Sequence, residues 1–198
     1  FNNTEHAASL FALKEFGNIY SRIGNPTVGA LEARLTALEE GAMCVALSSG
    51  TSAVMYSLIN IMSQGDNFIS ASQLYGGTYT MFDNILPEYG INAKKVDITD
   101  FKAVEESIDE KTRAIYCETI TNPGLVVADI TALSEIAHAN GIPLIVDATF
   151  TTSAIQKSFD FGADIVVYSL TKWMSGHGRV IAGAVIEKGG FNWGNGNF

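Results

Sequence analysis

The chain has 198 residues, 47% of them hydrophobic and 17% charged, with a net charge of −9 and a pI near 4.7. Such a composition suits one folded domain, with room for a second, and excludes a disordered chain. The acidic balance argues against nucleic acid or an anionic membrane as partner, and no apolar run approaches the ~18 residues that span a bilayer. No basic, then apolar leader opens the chain, so a cytoplasmic protein is expected. Cys44 and Cys117 both lie in apolar runs and read as buried free thiols. His6, His138 and His177 share no metal-ligand spacing, so no metal is expected.

Residues 1–24 are polar and aromatic, with little core of their own, and read as an arm reaching a neighbouring subunit. Asn25-Pro26 caps a helix on which Val28, Leu31, Leu35 and Leu38 recur at helical spacing, with Gly41 as its C-cap. Alternation follows. Strands are predicted at Met43–Leu47, Asn67–Ala71, Ala93–Val96, Arg113–Cys117, Pro143–Val146, Ile165–Tyr168 and Val180–Ile186. Helices are predicted at Ser52–Met62, Thr78–Leu86, Phe101–Ile108 and Ile130–Ala139. Strand and helix in turn predict an α/β fold, a mostly parallel sheet flanked by helices. Unbroken apolar runs such as Leu144-Ile145-Val146 fit strands covered on both faces. Phe1 is not an initiator methionine, and the last ten residues close no element, so part of a longer chain is expected.

Ligands of such sheets bind beyond the C-terminal strand ends, which directs attention to the polar residues there. Ser48-Ser49-Gly50-Thr51 lies between a strand and a helix, where the amides of Gly50 and Thr51 form an anion site. Tyr75 precedes two glycines that clear space around its ring for stacking on a flat group. Asn122, before Pro123, presents its amide outward. Asp147 ends a buried strand, where a carboxylate is costly unless it is paired. Ser169, Thr171 and Lys172 close the last apolar run. Each has an ordinary alternative: a plain turn, loop packing, an Asn-Pro-Gly turn, a helix cap, a solvated lysine. Their order along the chain is more specific. An amine for a Schiff base, hydroxyls and amides for phosphate, and a carboxylate for a ring nitrogen together suit pyridoxal 5'-phosphate. A lysine in that role must be able to lose its proton, for which an apolar, partly positive surrounding is expected.

These stretches resemble the Cys/Met-metabolism family of pyridoxal phosphate enzymes (trans-sulfuration enzymes, fold type I, aspartate-aminotransferase-like). The matching residues are Tyr20-Ser21-Arg22, Asn25-Pro26-Thr27, Ser48-Ser49-Gly50, Tyr75-Gly76-Gly77-Thr78, Asn122-Pro123, Asp147-Ala148-Thr149-Phe150, Ser169-Leu170-Thr171-Lys172 and Gly176-His177-Gly178. The two ends of the chain look most like the O-acetylhomoserine sulfhydrylase branch. The resemblance implies Lys172 as Schiff-base lysine and proton carrier, Asp147 on the ring nitrogen, Tyr75 stacked on the ring as a catalytic proton relay, and Asn122 on the ring oxygen. It implies Gly50, Thr51, Ser169 and Thr171 on the phosphate, with Tyr20 and Arg22 reaching the phosphate of an adjacent subunit. The expected protein is a cytoplasmic homotetramer, a dimer of dimers sharing active sites. Residues 25–198 would form its cofactor-binding domain, with a C-terminal domain missing from this chain. The expected reaction is γ-replacement on O-acetyl-L-homoserine by sulfide or a thiol, in methionine biosynthesis. Cystathionine γ-synthase, cystathionine lyase and methionine γ-lyase are alternatives within the family, and an inactive binding or assembly module is an alternative outside it. The family usually has Asn where Ala148 stands, so looser support of Asp147 is expected.

Overall fold

A computed structural model describes residues 1–198. Two helices, α1 (Thr4–Phe11) and α2 (Pro26–Glu39), precede the alternating part. There follow β1 (Met43–Leu47), α3 (Gly50–Ile59), β2 (Asn67–Ala71), α4 (Gly76–Thr80), β3 (Asn92–Val96), α5 (Phe101–Glu106) and β4 (Thr112–Glu118). Then come α6 (Ile130–Ala139), β5 (Leu144–Asp147), α7 (Thr152–Ile155), β6 (Ile165–Ser169) and β7 (Gly183–Glu187).

All seven strands join one sheet in the order β1-β7-β6-β5-β4-β2-β3. The β2–β3, β2–β4, β4–β5 and β5–β6 pairs are parallel, while β7 runs antiparallel to both β1 and β6. Six strands therefore point the same way and end along one edge of the sheet, and β7 begins at that edge. Burial explains why the central strands are mostly apolar. Every residue of β2 is buried, as are all of β4 but Arg113 and all of β6 but its last. Both faces are thus covered, with α6 packed on β4 and β5, and α3 on β6 and β7. On the edge strand β1, Cys44 is buried while Met43 and Val45 are exposed. Phe68, Phe82 and Tyr116 stack edge-to-face, with centroids 4.8 and 5.1 Å apart, at the centre of the core.

Side chains set the helix starts. Asn25 Oδ1 accepts from Thr27 N–H (2.9 Å) ahead of α2, and Asp100 and Asp129 cap α5 and α6 in the same way. Three expectations need correction. The left-handed residue ending α2 is Glu40 (φ 58°), not Gly41. The α2 stripe is only partly used: Leu35 is buried, whereas Val28, Leu31 and Leu38 stay about 40% exposed. The helix expected over 78–86 breaks into α4, a π turn (Met81–Ile85) and a 3-10 turn (Leu86–Tyr89). Pro87 lacks the N–H that a continuous α-helix would require there. Within residues 1–24 lies α1, capped by Asn3, with Leu10 buried. Phe11, Leu13, Phe16 and Ile23 beyond it are exposed.

Candidate active site

Five strands deliver polar residues to the common edge: β1 the turn Ser48–Thr51, β2 Tyr75, β4 Asn122, β5 Asp147, and β6 Ser169, Thr171 and Lys172. In the sheet order β1-β7-β6-β5-β4-β2 these strands adjoin one another, with β7 the only one between them. The topology therefore gathers residues spread over some 120 positions of sequence.

The anion turn is built by close packing. Ser49 Oγ accepts from Ser52 N–H (3.0 Å), which leaves the Gly50 and Thr51 amides in the first turn of α3 without an intrahelical acceptor. A Cβ on Gly50 would lie 2.4 Å from Ser169 Cβ, so only glycine lets this turn lie against the end of β6. A Cβ on Gly183, the first residue of β7, would lie 2.0 Å from Ser49 O. Gly183 belongs to the site although the sequence reading passed over it. Its signal was a glycine inside a strand, a mark of close backbone approach.

Asp147 is held at the end of β5 by Thr149 N–H on Oδ1 (2.9 Å) and Tyr116 O–H on Oδ2 (3.4 Å). Thr149 Oγ1 also accepts from Ser169 N–H (2.8 Å), tying the carboxylate to the neighbouring strand. Ala148 is buried and adds no side-chain donor, yet Asp147 has these two. Burial pushes the Asp147 carboxyl upward, and the bonds from Thr149 and Tyr116 oppose the rise. No basic side chain forms an ion pair with it. Its charge is therefore short of a cation.

Glu118 closes β4 directly beside Asp147, its register partner on β5. Its Oε1 accepts from Tyr75 N–H (2.7 Å) and its Oε2 from Asn122 N–H (3.0 Å). Burial pushes its carboxyl up to about 7, the nearby Asp147 adds to the rise, and the two backbone donors oppose it. Nothing in the sequence around Glu118 marks this role, because one of its partners lies 43 residues away. Tyr75 is half-exposed, and a Cβ on Gly77 would strike its ring at 2.7 Å, as the cleared space requires. The Asn122 side chain is partly buried and makes no hydrogen bond within the chain.

Other sequence-predicted residues are placed differently. The Thr171 hydroxyl bonds Ala182 on both its N–H and its carbonyl (3.2 Å each), so the chain itself already occupies it. Lys172 is exposed, and the apolar enclosure expected around it is not built by this chain. Arg22 lies over the Tyr20 ring at 5.3 Å, and neither bonds any strand-end residue. A concavity of about 600 Å³ between α2 and β1, lined by Glu32, Thr36 and Met43, shares no residue with the set.

What this edge can hold follows from its donors. Two free helix-turn amides and Ser169 suit a phosphate, an uncompensated carboxylate suits a cationic ring nitrogen, and an unbonded amide suits a ring oxygen. A half-exposed tyrosine offers a stacking face, and a primary amine stands at Lys172. Pyridoxal phosphate carries all the matching groups.

The family model for Cys/Met metabolism PLP-dependent enzymes matches residues 1–197. The chain is 46% identical over its whole length to an O-acetyl-L-homoserine sulfhydrylase of Leptospira meyeri, of which it covers 45%. It is 46% identical over 98% of its length to a homocysteine synthase of Schizosaccharomyces pombe, again covering 45%. Among solved structures it superposes on a Campylobacter jejuni protein described as an O-acetylhomoserine (thiol)-lyase. The TM-score is 0.92 at 40% identity, over all of this chain and 50% of that one. That structure carries N'-pyridoxyl-lysine-5'-monophosphate. A cystathionine gamma-lyase from Lactobacillus plantarum, complexed with L-serine, aligns with TM-score 0.84 and 40% identity over 88% of this chain and 45% of its own. The chain thus spans about half the length of the curated relatives it matches.

Proposed function

The chain belongs to the Cys/Met metabolism family of PLP-dependent enzymes, and from that premise we propose that it forms the cofactor-holding half of an O-acetylhomoserine sulfhydrylase. The net reaction breaks the Cγ–O bond of O-acetyl-L-homoserine, releases acetate and forms a Cγ–S bond with sulfide, giving homocysteine. The observation that carries this reading is the strand-end set itself, above all Asp147, a partly buried carboxylate with two neutral donors and no cation.

Pyridoxal phosphate, when bound, supplies an electron-accepting ring that makes the Cα and Cβ protons of an amino acid removable. The chain's residues do the rest. Lys172 Nζ holds the cofactor and carries protons to and from substrate carbon. Asp147 keeps the ring nitrogen charged, and the Thr149 and Tyr116 donors keep that carboxylate in place. The amides of Gly50 and Thr51, with Ser169, take the phosphate. Thr171 supports this group through Ala182, and would contact phosphate only by giving up those bonds. Tyr75 covers the ring and Asn122 bonds its oxygen. Tyr20 and Arg22, exposed on the arm, would complete the phosphate site of an adjacent subunit in a homotetramer. Enclosure of Lys172 would then come from outside this chain.

Elimination by a lyase would use the same residues, so product analysis separates the two. The full-length protein should convert O-acetylhomoserine and sulfide to homocysteine and acetate, with little release of 2-oxo acid. If it acts instead on cystathionine or methionine alone, the sulfhydrylase reading is wrong and a lyase takes its place.

A further inference from the structure

We infer that Glu118 is a positioning residue, whose single carboxylate sets the spacing between the loop carrying Tyr75 and the loop carrying Asn122. The inference rests on the cofactor site proposed above and adds to it a residue that touches neither cofactor nor substrate.

Both oxygens are in use. Oε1 takes the N–H of Tyr75, 43 residues away, and Oε2 takes the N–H of Asn122, four residues on. Neither N–H donates to a backbone carbonyl. Tyr75 has no side-chain cap of its own at the start of α4. The carboxylate is therefore the acceptor both loops depend on. Glu118 is 4% exposed and pairs with no Lys, Arg or His. Asp147 faces it from β5, and the buried Tyr116 and Cys117 lie beside it on β4. Burying an acid beside another acid is unfavourable. A neutral residue would serve the core better, so the position is explained by what the two oxygens hold. Tyr75 and Asn122 are the residues assigned to the ring face and the ring oxygen. A carboxylate spanning their backbones fixes one against the other.

Glu118→Gln tests this. It preserves volume and removes a charge whose burial is unfavourable, but one of its two terminal atoms is an NH2 that cannot accept. One loop is released while the sheet is kept. Hydrogen exchange of the cofactor-free protein should rise about tenfold in 72–79 or 119–126, with β2 and β4 unchanged. Pyridoxal phosphate should bind about tenfold more weakly, and the visible circular dichroism of the bound cofactor should shrink. Glu118→Ala should release both loops and show the larger effect. Unchanged exchange, affinity and dichroism in Glu118→Gln would overturn the inference. So would a Glu118→Gln chain that fails to fold, which would assign the side chain to stability. If the unaltered protein binds no pyridoxal phosphate, the proposed function falls, while the exchange measurement still decides the role of Glu118.

Discussion

Asp147 and Glu118 are adjacent acids at the ends of adjacent strands, and both are pushed toward protonation by burial. The sign of the resulting pH effect is fixed by linkage. A carboxyl that binds its proton more tightly folded than unfolded favours the fold while both states are protonated. That contribution is lost as pH rises through the folded value. For Glu118 the rise from the usual 4.5 to about 7 corresponds to about 3 kcal/mol, lost between those pH values. Chemical denaturation of the cofactor-free protein at pH 5 and pH 8 should show this loss, and Glu118→Gln should lose less over the same interval by about that amount. Equal losses in the two proteins would mean that Glu118 is not raised. The two acids differed in how legible they were. Asp147 ends an unbroken apolar run, Leu144-Ile145-Val146, so its place at the end of a core strand follows from its neighbours in sequence. Glu118 also ends such a run, but its role depends on Tyr75, which only the β2–β4 pairing brings near. Thr149 joins Asp147 to Ser169 and is equally hard to see in sequence, because its partners meet only across the β5–β6 pair.

Among elements, β7 shows how the sheet makes the anion turn possible. It is the one antiparallel strand, inserted between β1 and β6, and its first residue lies where the β1–α3 turn must pass. Gly183 leaves room for Ser49, and Gly50 leaves room for Ser169. Gly183→Ala would place a carbon 2.0 Å from a backbone oxygen that has no flexible end to swing aside. A cost of about 1–3 kcal/mol is expected from such overpacking. Thermal melting should fall by several degrees, and cofactor affinity should fall with it because the Gly50 and Thr51 amides are displaced. A melting point within one degree of the unaltered protein would show that the turn adjusts freely. Strand positions were readable because core strands are rich in apolar residues and bounded by polar turns: β1 and β2 match their predicted bounds, and α6 does as well. Short irregular pieces were not. The π and 3-10 turns after α4, and the brief helix α7, carry no repeating pattern for a sequence to display.

At the scale of the whole molecule, several large apolar residues are left exposed. Val28, Leu31 and Leu38 on α2, with Phe11, Leu13, Phe16 and Ile23 on the arm, lie open to solvent. The helical spacing of Val28, Leu31 and Leu38 was visible in sequence and their exposure was not, because an amphipathic stripe reads the same whether it meets its own core or another surface. Lys172 is in the same position. It stands just past the end of β6, yet it is exposed. The account as a whole turns on whether the amine at that strand end carries the cofactor. The most direct measurement is borohydride reduction of the full-length protein, followed by peptide mass mapping. The account predicts a pyridoxyl-phosphate adduct on the peptide containing Lys172, lost in Lys172→Ala together with turnover. An adduct on another lysine, or turnover that survives the substitution, would contradict it.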